Sequence, residues 1–295
     1  MSRSVHTATA RMRAAFTGET PIAAEYGRGR QGNLGLDRCI PAQLEMRSRL
    51  AWHLFNRGWL STLPYESTIS RIASYSPVVS ARYKELVLVA KGAPVNVLGY
   101  FFNAPEAVFP GLRLTHSVRW EEGPDGPDRP QYERYETVHV PTGAKFIVTS
   151  HPDTTREVGK PGYGSEMWVR VDMKMADSEA FNHKLMPPMS IGIQRILAAL
   201  VARFNSRDPG GRWATGSWEG PPMGRKSEGV GADYSRGLSG GGEVWSLRWT
   251  LYPTVRDIVD MLADPVFGVP EIEIQQRTSS ADLKLGDALL RLQRV

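Results

Sequence analysis

A chain of 295 residues that is 41% hydrophobic and carries eight tryptophans has enough apolar material to bury a sizeable core, which excludes wholesale disorder. Its single cysteine, Cys39, excludes an internal disulfide framework and a cysteine-rich zinc site, and a reducing cytoplasm is the expected setting. A net charge of +5 and a pI near 9.3 favour an anionic partner such as nucleic acid, and no run approaches the roughly 18 apolar residues that would span a bilayer, so no membrane contact is expected.

Residues 1–38 are polar and poorly periodic apart from a short helix around Thr9 to Phe16. They carry Arg3, Arg11, Arg13, Arg28 and Arg30 against Glu19 and Glu25. This segment reads as a basic, poorly ordered N-terminal arm, either a solvated tail or an arm laid on phosphate. The remainder, 39–295, reads as a single domain. It opens with a helix that has Pro41 in its first turn, a stripe of Met46, Leu50, Ala51, Leu54 and Phe55, and Gly58 placed to end it. Arginines 47, 49 and 57 should decorate its solvated face.

Glu85 to Ala90 reads as a buried strand and Val95 to Phe102 as a short helix. Leu112 to Trp120 and Tyr132 to Val140 form an antiparallel pair, and Pro141-Thr142-Gly143 turns the chain into the strand Lys145 to Ser150. Strict alternation over Met167 to Met175 predicts a fourth strand, with Trp168, Arg170, Asp172 and Lys174 on its polar face. Ile193, Ile196, Leu197, Leu200, Val201 and Phe204 recur at helical spacing, which predicts a helix over about 188–204. A glycine-rich stretch, 206–242, reads as a long flexible insertion. The chain then resumes with a strand over Glu243 to Tyr252, a helix through Val255 and Leu262, a strand over Pro270 to Gln276, and an apolar run, Leu283 to Leu292, compatible with strand or helix. The elements do not alternate strand and helix regularly, so the fold class is α+β, with a mixed or mostly antiparallel sheet backed by helices.

Pro152-Asp153 just past one strand and Asp172-Met173-Lys174 on the next make a pattern that resembles the PD-(D/E)XK nuclease superfamily. The resemblance implies that Asp153 and Asp172 hold Mg²⁺ or Mn²⁺ and that Lys174 orients or activates the attacking water. The chemistry is coherent, because Mg²⁺ is held by one or two carboxylates plus water and substrate phosphate, while an ammonium offsets developing charge. The same Asp-x-Lys is also what a solvated strand face with a salt-bridging lysine looks like.

In the glycine-rich insertion, Trp213 and Trp218 are interleaved with Arg212, Arg225, Lys226 and Arg236, and with Arg170 on the preceding strand they form a candidate nucleic-acid-binding set. Neither Gly220 to Ser227 nor Gly229 to Tyr234 keeps the spacing of a phosphate-binding or dinucleotide loop. His151, Asp153 and His183 are a further candidate set for a transition metal. Two functions therefore stand side by side: metal-dependent phosphodiester hydrolysis, and non-catalytic nucleic-acid binding or assembly through the arm and the loop.

Overall fold

Helix α3 (Pro41–Asn56) and helix α6 (Ile191–Arg203) pack on each other, and the rest of the chain is arranged around them. In the computed structural model residues 3–56, 78–90, 94–102, 109–121, 131–151, 173–203, 236–250 and 253–295 are described. Helix α3 buries Met46, Leu50, Ala51, Leu54 and Phe55 along the expected stripe. Arg47, expected on its solvated face, is wholly buried instead and donates to the Arg82 and Glu85 carbonyls. Helix α6 buries Ile193, Ile196, Leu197, Leu200 and Val201, and its residue Gly192 lets the backbone approach Leu285 and Ala288, where an added Cβ would lie 2.5 Å from the Ala288 methyl.

Two five-stranded sheets flank this helix pair. The first has the order β1-β2-β5-β4-β3, from β1 (Val78–Ala81), β2 (Glu85–Val89), β3 (Leu112–Glu121), β4 (Gln131–His139) and β5 (Ala144–Thr149). The β3–β4–β5 meander forms as its turn residues indicate, with Gly143 at φ 70 between β4 and β5. The far edge of β5 pairs in parallel with β2, Glu85 opposite Lys145. Helix α4 (Pro94–Phe102) covers this sheet, with Phe101 edge-on to Phe146 at 5.1 Å.

The second sheet has the order β6-β7-β10-β9-β8, from β6 (Arg236–Gly241), β7 (Val244–Trp249), β8 (Glu273–Gln276), β9 (Ser280–Leu285) and β10 (Ala288–Arg294). Trp245, Leu247 and Trp249 share the buried face of β7, as the alternation requires, and β10 lies parallel to β7. The ambiguous run 283–292 belongs to two strands, because Gly286 takes φ 60 and turns β9 into β10. Helix α7 (Val255–Ala263) lies on this sheet and begins with a capping box in which the Thr254 and Asp257 side chains each accept from the other's backbone N–H. The architecture is α+β, both sheets are mixed, and one apolar core runs through both sheets and the helix pair. No helix among the described residues is long and apolar enough to cross a membrane.

Three expectations need correction. The N-terminal segment is ordered: α1 (Arg3–Thr17) and α2 (Pro21–Gly27) pack against each other, and Phe16 reaches the main core at Phe267. The flexible insertion does not extend to 242, since residues 236–241 are β6, paired with β7. Of the expected fourth strand, residues 167–172 lie outside the described residues and Met173-Lys174 form a bend. Both edges of β5 are already paired, with β2 and with β4, so no further strand can join it over 144–149.

Candidate nucleic-acid interface

Arg13, on α1, organises the segment that follows it. Its guanidinium is wholly buried, pairs with Glu19, and donates to the carbonyls of Gly27 (2.9 Å), Leu34 (2.8 Å), Gly35 and Ala81 (3.3 Å). A buried cation is stable only when its donors are met in this way. The consequence is a fixed loop. Residues 29–33 form a tight hairpin, with the Gly29 N–H donating to the Asn33 carbonyl, the Asn33 N–H to the Arg30 carbonyl, and left-handed backbone at Gln31 (φ 54) and Gly32 (φ 87). The Asn33 side chain ties the hairpin to the Pro265 and Gly268 carbonyls at 3.1 and 3.0 Å. Gly35 takes φ 63, and a Cβ added there would lie 2.5 Å from the Gly27 carbonyl oxygen, so the tight return of the chain depends on it.

Beside this hairpin lies an open cleft of about 580 Å³, bounded by Arg30, Arg38, Tyr83, Arg195 and Glu271, with the Asp37 carboxylate at its base. Four segments distant in sequence meet here: the 29–39 loop, the β1–β2 turn, the first half of α6 and the approach to β8. Tyr83 is held by its own backbone, whose N–H donates to Glu19 at 2.8 Å and whose carbonyl accepts from Ile40 at 3.1 Å. Tyr26 stacks on it with ring centroids 6.1 Å apart and planes 23° apart, while remaining 63% exposed. The outer face of a preassembled aromatic pair is therefore turned to solvent.

The charges of the cleft divide into two sets. Arg195 donates to Glu271 at 2.9 Å and to the buried Asp37 at 3.4 Å. Burial works against its charge, but these two carboxylates outweigh burial and hold its pKa above the ordinary guanidinium value. Arg203 lies on the other side of Asp37 at 3.9 Å, and burial lowers its pKa to about 10. Arg30 and Arg38, by contrast, have no carboxylate partner among the described residues; Arg38 donates to the Arg28 carbonyl at 2.7 Å. These two cations are what the cleft offers a ligand, and Tyr26, stacked on the lining residue Tyr83, adds an exposed ring next to it.

The residues expected to carry the chemistry fall elsewhere. Asp153, Asp172, Arg170, Arg212, Trp213, Trp218, Arg225 and Lys226 lie outside the described residues, so both expected ligands of Mg²⁺ or Mn²⁺ are outside them and only Lys174, expected to orient the attacking water, is described. The Lys174 side chain is exposed, and its carbonyl accepts from Arg113 at 2.6 Å. Arg236, expected on a flexible loop facing nucleic acid, is the first residue of β6 and is 1% exposed, and burial lowers its pKa to about 9. It is an interior residue because β6 pairs it opposite Trp249. His151 packs edge-on to Tyr132 at 4.5 Å, whereas His183 lies near His139, their rings 6.3 Å apart.

Sequence reasoning missed Tyr26, Arg38, Tyr83 and Arg195. The glycine spacing in Gly27 to Gly35 was the available signal for a special loop, but the approach of Arg195 and Tyr83 is a tertiary event. No protein-family model matches the chain, and no match is found among curated proteins or solved structures.

Proposed function

We propose that the chain binds single-stranded nucleic acid at this cleft, with Tyr26 stacking on a base and Arg30 and Arg38 engaging the flanking phosphates. The observation that carries the reading is the exposed Tyr26 ring, backed by Tyr83 of the cleft wall, near two guanidinium groups that have no carboxylate partner among the described residues. Aromatic faces accept any base by stacking, and cations along the same groove supply the backbone attraction. The hairpin and the Tyr83 turn are fixed by internal hydrogen bonds, so little ordering cost remains for binding. The overall basic charge supports the same class of partner.

Fluorescence anisotropy with short labelled DNA and RNA strands tests this. Affinity should fall steeply between about 50 and 200 mM salt and should drop in Tyr26→Ala. Absence of binding, or affinity indifferent to salt and to Tyr26→Ala, would rule the reading out. Metal-dependent hydrolysis of the same substrate is the second reading, supported by the motif resemblance and by the solvent exposure of the Lys174 side chain. Incubation with plasmid and oligonucleotides in Mg²⁺, Mn²⁺ or EDTA separates the two. Cleavage that Asp172→Ala or Lys174→Ala abolishes would add catalysis to binding, and its absence leaves binding alone.

A further inference from the structure

Helix α5 (Asp177–Leu185) is anchored on one side and bare on the other. The Glu179 carboxylate on its inner face is buried and accepts from Arg113 at 2.6 and 2.9 Å, from the Gly111 N–H at 3.3 Å and from the Ala176 N–H at 2.8 Å. On the outer face Phe181 is 62% exposed and Leu185, one turn further on, is 49% exposed. Asp177, Ser178 and Lys184 are exposed beside them. We propose that this face pairs with the same face of a second copy of the chain, the two α5 helices lying antiparallel about a two-fold axis at Phe181.

The sequence of α5 is self-complementary in that arrangement. Successive residues turn by about 100° around a helix and rise by about 1.5 Å. With Phe181 at the centre of the outer face, Asp177 and Lys184 both lie on one flank, about 40° and 60° round from it, and Leu185 and Ser178 lie on the other flank at about the same angles. Along the axis Asp177 stands about 6 Å before Phe181 and Lys184 about 4.5 Å after it.

A two-fold axis in the contact plane and perpendicular to the helices keeps each flank against its own copy and exchanges the two ends. It therefore sets Asp177 against the partner's Lys184 and Lys184 against the partner's Asp177, at heights that differ by only about 1.5 Å. The two Phe181 rings meet at the centre, where aromatic pairs contribute beyond their buried area. On the other flank Leu185 meets the partner's Ser178. A parallel pairing would leave the opposite charges at opposite ends of the contact, so the charges select the antiparallel one.

Neither Asp177 nor Lys184 has an ion-pair partner among the described residues, so both are available to a second copy. The acid lies in the first turn and the lysine in the last, where the helix dipole favours each of them. Because Arg113 holds α5 from behind, little ordering cost remains for the contact. Each copy contributes the same patch, as a closed two-fold contact requires. A single helix face makes a small interface, which belongs to the weak and reversible class. None of these residues lines the cleft beside the 29–33 hairpin, so self-association and nucleic-acid binding can each fail without the other.

Sedimentation equilibrium of the full chain over a concentration series reaching millimolar tests the proposal. A reversible monomer–dimer equilibrium is expected. Phe181→Glu should weaken it by about tenfold or more, since it removes the central anchor and sets two like charges on the axis. Asp177→Lys and Lys184→Asp should each weaken it by roughly three- to tenfold, because each turns both cross-pairs into like-charge contacts. The double variant restores both pairs and should recover the parent's association. All three positions are exposed, so the variants keep the monomer fold, which circular dichroism checks. A chain that stays monomeric throughout, a dimer indifferent to Phe181→Glu, or single reversals that the double variant does not rescue would overturn the proposal.

Discussion

Arg113 and Glu179 form a two-pronged ion pair, Nη2 to Oε2 at 2.6 Å and Nη1 to Oε1 at 2.9 Å, which joins β3 to helix α5 (Asp177–Leu185) inside the protein. Burial pushes the Glu179 carboxyl up. The Arg113 hydrogen bonds, the Ala176 and Gly111 N–H groups and the Arg113 charge outweigh burial and bring its pKa down to about 2. An unfolded glutamate titrates near about 4.3. Because the folded value is the lower one, the stabilisation is complete above about 4.3 and is lost as pH falls towards about 2. Urea titrations at neutral and acid pH should show this loss. Glu179→Gln should abolish that part of the acid dependence and cost about 3–5 kcal/mol at neutral pH, because Arg113 is left as an uncompensated buried charge.

Arg13→Met separates an ordered N-terminal segment from a solvated tail. The substitution leaves Glu19 buried without its cation and removes donors from four backbone carbonyls. A cost of about 3–5 kcal/mol is expected, with Tm lower by roughly 6–15 °C. Calorimetry checks it. A variant as stable as the parent would mean that residues 3–35 do not fold onto the domain.

Gly35→Ala should destabilise by more than the roughly 1–2 kcal/mol that left-handed backbone alone costs an L-residue. The added methyl also meets the Gly27 carbonyl at 2.5 Å. Gly32→Ala is the control, since it shares a positive φ but has open space around the new methyl. Chemical denaturation of the pair separates the steric part from the conformational part.

At the cleft, Tyr26→Ala should weaken binding to single strands by about 1–3 kcal/mol, the range for one base stacked on one ring. Arg30→Ala and Arg38→Ala should each reduce the slope of log affinity against log salt by roughly one phosphate contact, about 0.7 for a single strand. Salt-dependent anisotropy on the three variants distinguishes the stacking contribution from the ionic one. A tyrosine variant that altered the salt slope and arginine variants that did not would reverse the assigned roles.

The local elements were legible because their signals are local. The stripe of α3, the spacing of Ile193 to Val201 in α6, and the alternation of Trp245, Leu247 and Trp249 each report which face of one element is apolar, and that face is buried. The β3–β4–β5 meander was readable for the same reason, since its connections are short and turn-forming. The 283–292 run was not, because its leucines satisfy either period and only the left-handed Gly286 divides it.

The sequence by itself determined the class of the fold, the apolar faces of its helices and strands, and an excess of positive charge. Only the tertiary structure decided which charges stay at the surface. Arg13, Arg47 and Arg236 are as polar in the sequence as Arg30 and Arg38, yet the first three are interior, and Asp37 in turn lies between Arg195 and Arg203. The Arg13 and Arg47 guanidinium groups are buried where acceptors from distant segments converge on their donors, the Glu19 carboxylate and four backbone carbonyls for Arg13 and the Arg82 and Glu85 carbonyls for Arg47, and that convergence is set by long-range contacts. The cleft arises in the same way, from residues whose spacing along the chain says nothing of their meeting.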